Sequence, residues 1–457
     1  MCLVLLNGVV MKKTLLLLVG VMVAAPSSYA LDLVEAYQRA QSNDPTWTAQ
    51  QRQYDVDRLN LGLAKGNLLP TITATGNVTR KHQEINSSQT SVLPGFDNEK
   101  LMPKASTNRQ IALTARQPLF RWDAWEGLKQ VKTSISLSEL TLRLQQQQHM
   151  LNTAEAYFNV LRQQALTTAH LQEEKALLEQ LNMMNAKLRE GLVARSEVRE
   201  ADAQYQNARA NRLSGQVQVL LAQEQLEQII GPYRDNLAVL SSDFQFQKPV
   251  PQDLKAWQDL AQKQNLQLQQ ARMQKQYAED AKRVEQAARL PQLEAVASYG
   301  YNKQSPDSLI ANDGQFDQVG VEMNWKLFNG GQTKINIQKA TLSVQKAMAE
   351  VDAASRHANT EVKKAYLQVD TDQAKLQARK TALQSAETVS QASQAQYREG
   401  LKNMVDVLLA QRNAFAAKQD YLNAQYDYVM NVLHLQAAVG QLNEQALQTM
   451  NAWLVEK

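Results

Sequence analysis

Long stretches without glycine or proline constrain this chain more than any other feature. Neither residue occurs in 128–190, 252–290, 332–399 or 401–439. Because glycine and proline are the residues that most often interrupt helices, these windows predict long helices, the longest reaching about 100 Å. The chain has 58 glutamines but only 17 glycines and 11 prolines, and 6% of its residues are aromatic. This composition favours a mostly helical protein with thin packing over an enzyme with several cores.

Apolar residues recur at two regular spacings inside these windows. In one series, between Leu140 and Ala165, they advance in steps of four and three residues. In the other they lie seven residues apart. Such spacing is typical of coiled coils, although alanine and glutamine stand at several positions where leucine would be expected. The seven-residue series consists of Leu401, Leu408, Phe415, Leu422 and Val429.

The N-terminus has the pattern of a secretory signal peptide. Two lysines precede an apolar run over 14–25, which is too short to span a membrane as a mature helix, and small residues follow it. We expect translation to start at Met11 and cleavage to follow Ala30, so that 1–30 is removed; a membrane anchor is the alternative. The only cysteine, Cys2, precedes the cleavage point. The mature chain is therefore expected to contain no disulfide and no lipid-acceptor cysteine.

The chain repeats itself at an offset of 209 residues. The run Arg189-Glu190-Gly191-Leu192 matches Arg398-Glu399-Gly400-Leu401, and the alignment continues without gaps to Gly231 and Gly440. Such an internal match indicates a tandem duplication. We expect a first repeat over 31–239 and a second over 240–457.

Each repeat is expected to contain a short helix, a β-hairpin, a long helix and a return helix. In the first repeat these elements are predicted at 31–65, about 69–120, 121–190 and 192–230. In the second they are predicted at 253–290, about 291–328, 329–399 and 401–440, followed by a short tail.

Alternating apolar and polar residues predict the strands of the two hairpins. The alternation covers 71–79, 111–117, 292–301 and 319–328, with polar loops between the strands of each pair. About ten residues suit a tilted membrane strand. Four strands cannot close a barrel and an open sheet edge is not viable in lipid, so several chains must contribute to one barrel. A soluble β-layer that caps a coiled coil is the alternative.

Charge and motif content argue against nucleic-acid binding and catalysis. The chain has 49 basic and 45 acidic residues, a formal charge of +4, which gives no nucleic-acid footprint. Its five histidines show no metal-ligand spacing, and neither a phosphate-binding loop nor a nucleophile elbow is present. We therefore expect no enzyme activity, no metal and no cofactor.

Four segments resemble the TolC family of outer-membrane exit ducts. They are the runs 151–161 (LNTAEAYFNVL), 191–194 (GLVA), 400–408 and 442–445 (LNEQ), and the resemblance covers essentially the whole mature chain. It implies a mainly α fold with membrane β structure. In that architecture a homotrimer forms one β-barrel, four strands per chain, which continues into a long periplasmic α-helical coiled-coil barrel.

The resemblance also implies a function and a set of partners. The chain would be a passive exit duct in outer-membrane lipid, serving tripartite efflux pumps or type I secretion systems. A periplasmic adaptor (membrane fusion protein) and an inner-membrane RND or ABC transporter would open its periplasmic end. A periplasmic adaptor or a structural coiled-coil protein is the alternative; an adaptor would have one helical hairpin, whereas this sequence predicts two.

The resemblance assigns residues to a gate at the helical turns. Asp406 would belong to an acidic ring at the periplasmic entrance. Leu409 stands where the family has a second aspartate, which implies a single ring. The turn residues Gly191, Leu192, Gly400 and Leu401 would dock the adaptor.

Contacts between neighbouring helices would hold the gate closed. The resemblance places Tyr397 and Lys402 on one side of these contacts and Gln180, Ser196 and Glu197 on the other. Lysine replaces the family's arginine at Lys402, and it cannot make the planar bidentate contact, which implies a weaker tie.

Overall fold

The computed structural model describes residues 30–83, 104–241, 250–306 and 313–455. The signal peptide predicted at 1–30 lies outside these residues except for Ala30. Within the described ranges, no helix combines the length and the apolar character needed to cross a membrane.

Two very long helices, of 68 and 67 residues, dominate the fold. Shorter helices precede and follow each of them. The helices are α1 Leu33–Asn43, α2 Pro45–Gly66, α3 Trp122–Arg189, α4 Arg195–Ile230, α5 Leu254–Gln264, α6 Leu266–Ala287, α7 Gln332–Arg398, α8 Met404–Val439 and α9 Glu444–Asn451. The strands are β1 Thr71–His82, β2 Ala105–Phe120, β3 Val239–Leu240, β4 Gln292–Ser305, β5 Gly314–Asn324 and β6 Leu454–Val455.

The two short helices expected from the sequence are each divided in two. Asp44 caps α2 by accepting a hydrogen bond from the backbone N–H of Thr46 at 2.7 Å. Asn265 caps α6 through Leu268 N–H at 2.8 Å, and its own amide donates to the carbonyl of Ala438 at 2.8 Å. Pro45 follows Asp44 and disfavours a helical conformation there, whereas at Asn265 the capping side chain marks a break with no glycine or proline beside it.

A left-handed glycine ends each long helix. Gly191 has φ +71° and Gly400 has φ +76°. The following residues, Leu192 and Leu401, donate backbone hydrogen bonds back to Lys187 and Gln396 at 2.9 and 2.8 Å. This is the Schellman arrangement, which satisfies the last carbonyls of a helix and reverses the chain. The return helices α4 and α8 start from these turns.

The four long strands form one antiparallel sheet in the order β1-β2-β4-β5. β2 and β4 join the two hairpins along the middle of the sheet. The strands extend into stretches expected to be polar loops, since β1 continues to His82 and β5 begins at Gly314. The ladder there continues beyond the segment in which apolar and polar residues alternate.

The long helices form a layer that is one helix thick. Next to the sheet the helices neighbour one another in the order α2, α3, α6, α7, and at the opposite end the order is α4, α3, α8, α7. Each long helix therefore runs through both halves of the layer, and shorter helices fill the two halves in turn.

The main core lies at mid-height, where α1, α9 and the β3–β6 pair pack on the layer. Tyr157 of α3 is fully buried there, and its hydroxyl lies 3.0 Å from the carbonyl oxygen of Leu31 and 2.8 Å from that of Ala238. Burial raises the pKa of Tyr157 well above its usual range. The hydroxyl thus stays protonated and can hold the backbone at Leu31 and Ala238 against α3.

A buried histidine fixes the joint between α1 and α2. The ring of His149 stacks on Trp47, with centroids 5.5 Å apart, and its Nε2 lies 3.1 Å from Oδ2 of Asp44. Burial lowers the pKa of His149 and outweighs the opposing effect of the Asp44 carboxylate. The imidazole therefore packs in the joint as a neutral group near neutral pH.

We predict that Gly440→Ala destabilises the protein far more than Gly400→Ala. Both glycines have a left-handed φ, +79° and +76°, so each substitution costs about 1–2 kcal/mol of backbone strain. A Cβ at 440 would also lie 2.2 Å from the carbonyl oxygen of Gln264, whereas nothing lies within 4 Å of one at 400. We expect Gly440→Ala to lower the free energy of unfolding by more than about 3 kcal/mol in total. Thermal unfolding followed by circular dichroism measures the loss of stability in each variant, and equal losses would contradict the crowding at 440.

Candidate functional site

The sheet has one mainly apolar and one mainly polar face. The exceptions include Arg109, Gln117 and Asp317 on the first, and Ala112, Val296 and Phe316 on the second. Cross-strand pairs keep the faces in register, because residues directly opposite one another point to the same side. The apolar face carries Ile72, Ala74, Val78, Ile111, Leu113, Ala115, Ala297, Tyr299, Val319, Val321 and Met323. The polar face carries Thr71, Thr73, Thr75, Asn77, Thr114, Arg116, Glu294, Ser298, Asn302, Gln318 and Glu322. This division suits a sheet between lipid and water.

The polar face holds a charge cluster at the end of the sheet next to the helices. Glu294 and Glu322 lie directly opposite each other on β4 and β5. Arg116 of β2 reaches both, at 3.7 and 2.8 Å. Two like charges in a cross-strand pair destabilise a sheet unless a cation neutralises them, and Arg116 supplies that cation.

The edges of both the sheet and the helical layer are uncovered. Every residue of β1 is exposed, and most of β5 is exposed as well. The edge helices show apolar side chains at helical spacing, each at least 47% exposed. They are Val56, Leu59 and Leu63 on α2, Leu213, Val217 and Leu220 on α4, and Ile335, Leu342 and Val389 on α7.

The two helical turns come together at the far end of the layer. A small core there contains Leu177 and Met184 of α3 together with Met404, Val407 and Leu408 of α8. The turns at Gly191 and Gly400, separated widely in sequence, thus form one tip. This tip is the candidate gate.

Of the side chains predicted to hold the gate, Gln180 and Tyr397 connect the two helical hairpins within the chain. The amide of Gln180 on α3 donates to the sulfur of Met404 on α8. The hydroxyl of Tyr397 on α7 lies 3.7 Å from the sulfur of Met184 on α3. Both contacts cross from the α3/α4 hairpin to the α7/α8 hairpin.

Lys187 is a tip residue that the sequence reasoning missed. Its Nζ donates to the Tyr397 hydroxyl at 3.2 Å and lies 4.3 Å from the centre of the tyrosine ring. A cation over an aromatic ring adds about 0.5–1 kcal/mol at a partly exposed site. A tyrosine near a helix end gives no indication of which cation will contact it, so only the structure identifies the pair.

The other predicted gate residues contact groups near them in sequence. Lys402 donates to the hydroxyl of Ser393 at 3.0 Å. Glu197 accepts from the backbone N–H of Ala194 at 3.3 Å, which closes the start of α4. Ser196 is exposed. Tyr397 and Lys402 do not contact Ser196 or Glu197 within the described chain.

Asp406 lies exposed in the first turn of α8. Asn403 caps that turn by accepting from the backbone N–H of Asp406 at 2.9 Å. Two further acids of α8 have cationic partners: Asp420 lies 2.7 Å from Arg379, and Asp427 lies 2.9 Å from Arg162. Within the part of the chain that the structure describes, Asp406 has no such partner. The free negative charge of α8 is therefore concentrated at the tip.

The turn residues themselves present apolar side chains to solvent. Leu192 is 71% exposed and Leu401 is 76% exposed. Two leucines at the tip of paired helical hairpins form a surface that another helical hairpin could contact.

The model of the family described as "Outer membrane efflux protein" matches residues 36–232 and 257–441. The chain belongs to this family. Membership agrees with the resemblance noted in the sequence, and it places the protein in the outer membrane in a family of channel and transport proteins.

Relatives of the chain match over nearly its whole length. It is 29% identical to outer membrane protein TolC of Escherichia coli over 453 residues, which cover 96% of this chain and 89% of that protein. It is 25% identical to the alkaline protease secretion protein AprF of Pseudomonas aeruginosa, over 93% of this chain and 88% of that protein.

Solved structures of outer-membrane channels share the fold. CusC superposes with a TM-score of 0.76 at 17% identity, covering 90% of this chain and 93% of that one. The open state of MtrE from Neisseria gonorrhoeae superposes with a TM-score of 0.74 at 18% identity, covering 92% of each chain.

We predict that Lys187→Met increases single-channel conductance in planar lipid bilayers. The substitution removes the ammonium group that joins α3 to Tyr397, so the two hairpins separate more easily at the tip. The matched control is Arg189→Met, which removes the same charge from an exposed position two residues away. Equal increases in the two variants would show that charge, rather than the contact with Tyr397, controls the conductance.

Proposed function

We propose that the protein is the outer-membrane exit duct of tripartite efflux pumps or type I secretion systems. The observation that carries the proposal is the sheet with one mainly apolar and one mainly polar face. It continues into a layer of long helices that is one helix thick and exposed to solvent on both faces. A wall of this kind can separate lipid from a water-filled passage, and transport through it needs no catalysis. Neutral polar residues such as glutamine let varied cargo pass without holding it.

We infer that three copies assemble into one closed barrel with a helical tunnel below it. The uncovered strand edges support assembly, because unpaired backbone groups are not tolerated in lipid. The number three rests on the family. The order of short helices, hairpin, long helix and return helix occurs twice along the chain, which supports a tandem duplication with repeats at 31–239 and 240–457.

The alternative functions account for fewer observations. A periplasmic adaptor would need one helical hairpin, whereas the chain has two, α3/α4 and α7/α8. A structural coiled coil does not explain a sheet with an apolar exposed face. Fractionation tests the proposal: a heat-modifiable oligomer in the outer-membrane fraction supports a duct, and a monomer in the periplasmic fraction contradicts it.

The tip is where we place the docking of a periplasmic adaptor. Leu192 and Leu401 project from the turns at Gly191 and Gly400, and both are largely exposed. An adaptor hairpin packed against them would bury this apolar surface. The inner-membrane RND or ABC transporter would act through the adaptor and set the cargo.

Opening of the tip would be a population shift. An adaptor that binds the splayed hairpins more tightly than the closed ones favours the open state. We assign Gln180, Tyr397 and Lys402 to the ties that oppose it. Lys402 would reach Ser196 or Glu197 of a neighbouring copy, since within one chain these groups are apart.

We predict that Tyr397→Phe combined with Lys402→Ala increases single-channel conductance in planar bilayers. The double variant removes a hydroxyl and an ammonium group from the tip, so the closed state loses polar ties. Lys375→Ala, at an exposed position higher on α7, is the control and should conduct as the unaltered protein does. Unchanged conductance in the double variant would refute the assignment.

We predict that Asp406→Asn lowers the preference of the channel for cations. In a symmetric oligomer the free carboxylate repeats as a ring, and such a ring concentrates cations where the pore is narrow. Reversal potentials in a salt gradient measure the change. Asp370→Asn removes the same charge from an exposed position far from the tip and should leave the potential nearly unaltered. A similar shift in both variants would place the selectivity elsewhere.

A further inference from the structure

Three basic residues lie on the apolar face of the sheet, at the end away from the helices. Arg109 of β2 pairs directly with Lys303 of β4. Arg80 of β1 pairs with Thr107, which makes it a diagonal neighbour of Arg109 at about 7–8 Å. Residues two apart in a strand share a face, so Arg109 is on the same side as Ile111. Arg80, Arg109 and Lys303 are all exposed, and together they form a basic patch.

The pairing of Arg109 with Lys303 sets two like charges directly opposite each other. The Cα atoms of such a pair lie about 4.5–5.5 Å apart, and like charges at that distance destabilise a sheet. At the other end of the sheet, Arg116 neutralises two carboxylates that are paired in the same way. Within the part of the chain that the structure describes, neither Arg109 nor Lys303 forms an ion pair. The pair therefore lacks the counter-charge that the other end of the sheet has.

The acidic residues nearest the patch do not supply that counter-charge. Asp313 follows the last pair of β4 with β5, close to Lys303, but its carboxylate accepts a hydrogen bond from the backbone N–H of Gln304 at 2.8 Å. Asp317 pairs with Tyr299, about 13 Å along the strand from Lys303. With Asp313 counted, the patch keeps an excess of two positive charges.

The basic patch lies where the apolar face ends. Tyr301, paired with Ile111, is in the last apolar row before the patch. From Leu293, near the helices, to Tyr301 the strand is about 27 Å long, and a tilt of about 40° reduces this to a height of about 20 Å. The apolar band of a membrane barrel is about 25 Å tall and has aromatic residues at its borders. The patch thus falls at the level of lipid head groups, on the membrane side away from the helices.

The position of the patch within the sheet favours a lipid over a neighbouring copy of the chain. β2 and β4 are the two middle strands, so a copy that extends the sheet at its edges does not cover Arg109 and Lys303. Family membership places the protein in the outer membrane. The outer leaflet of that membrane consists of lipopolysaccharide, whose glucosamine core carries phosphate groups.

The charge of the patch selects among lipids. A phosphomonoester carries about −1.5 to −2 near neutral pH, against about −1 for the phosphodiester of a phospholipid. An excess of two positive charges therefore matches a phosphomonoester better. Arginine also binds phosphate through two parallel N–H donors, which lysine cannot do.

We propose that Arg80, Arg109 and Lys303 bind the phosphate groups of lipopolysaccharide in the outer leaflet. A phosphate held between Arg109 and Lys303 neutralises the like-charged pair, and Arg80 adds a third cation beside it. Tyr301 lies one row closer to the helices, where acyl chains begin. This inference rests on the outer-membrane location and on the apolar face meeting lipid, and it does not depend on what the channel carries.

Native mass spectrometry of the full-length protein in detergent, titrated with purified lipopolysaccharide, tests the patch. We expect Lys303→Gln to weaken binding about tenfold, because it removes a charge-assisted contact to phosphate. The matched control is Lys81→Gln, which removes the same charge at the same end of the sheet. Lys81 pairs with Ser106 and lies on the polar face, so this variant should bind as the unaltered protein does. Equal weakening in both variants would overturn the proposal.

Arg109→Glu separates binding from folding. The variant replaces the like-charged pair by an ion pair with Lys303, so the sheet no longer needs an external anion. We expect it to be at least as stable to heat as the unaltered protein in detergent free of lipopolysaccharide, yet to bind lipopolysaccharide at least about tenfold more weakly. Unchanged binding by this variant would contradict the assignment of Arg109.

Two further probes identify the ligand. Lipopolysaccharide stripped of phosphate, and phosphatidylglycerol, should each bind at least about tenfold more weakly than intact lipopolysaccharide. Equal binding of the stripped form would show that phosphate is not recognised, and tighter binding of phosphatidylglycerol would assign the patch to a phospholipid; either result refutes the proposal. An intact outer-membrane oligomer that binds none of these lipids also refutes it, whereas a periplasmic monomer would refute the assembly proposed above.

Discussion

The requirement that a backbone in lipid satisfies its own hydrogen bonds governs this structure. Four strands with one apolar face leave the N–H and C=O groups of β1 and β5 unpaired at the two edges. Each such group costs several kcal/mol in a bilayer, on the order of a full desolvation penalty. The proposed assembly of several copies follows from this constraint. The uncovered helix edges below the sheet follow from the same constraint, since each edge continues directly into an edge strand.

A layer one helix thick has no room for a conventional core. The long helices use alanine at contacts between helices and glutamine where they meet water, which is why the chain is rich in glutamine and poor in aromatic residues. Large side chains concentrate at mid-height, where α1, α9 and the β3–β6 pair add a second layer. Tyr157 and Phe158 lie there, in edge-to-face contact. The middle of the molecule is thus its most firmly packed part.

Sequence periodicity predicted the long elements and missed the local contacts. The windows without glycine and proline, 128–190 and 332–399, coincide with most of α3 and with α7, although α3 begins at Trp122 and includes Gly127. The break at Asn265 escaped prediction because a capping asparagine resembles any other polar helix residue until its partner, the carbonyl of Ala438, is known. The contact between Lys187 and Tyr397 escaped for the same reason, since 210 residues separate the two in sequence.

Contacts between the two helical hairpins change in character along the layer. Near mid-height an ion pair joins them, with Arg162 lying 2.9 Å from Asp427 and 6.0 Å from the ring of Tyr426. At the tip the contacts are a cation over a ring and bonds to methionine sulfur, which are individually weak. Separation of the hairpins at the tip would break these contacts and expose the small core of Leu177, Met184, Met404, Val407 and Leu408, while the larger core at mid-height would stay packed. In the proposed duct the tip would therefore be the end that opens.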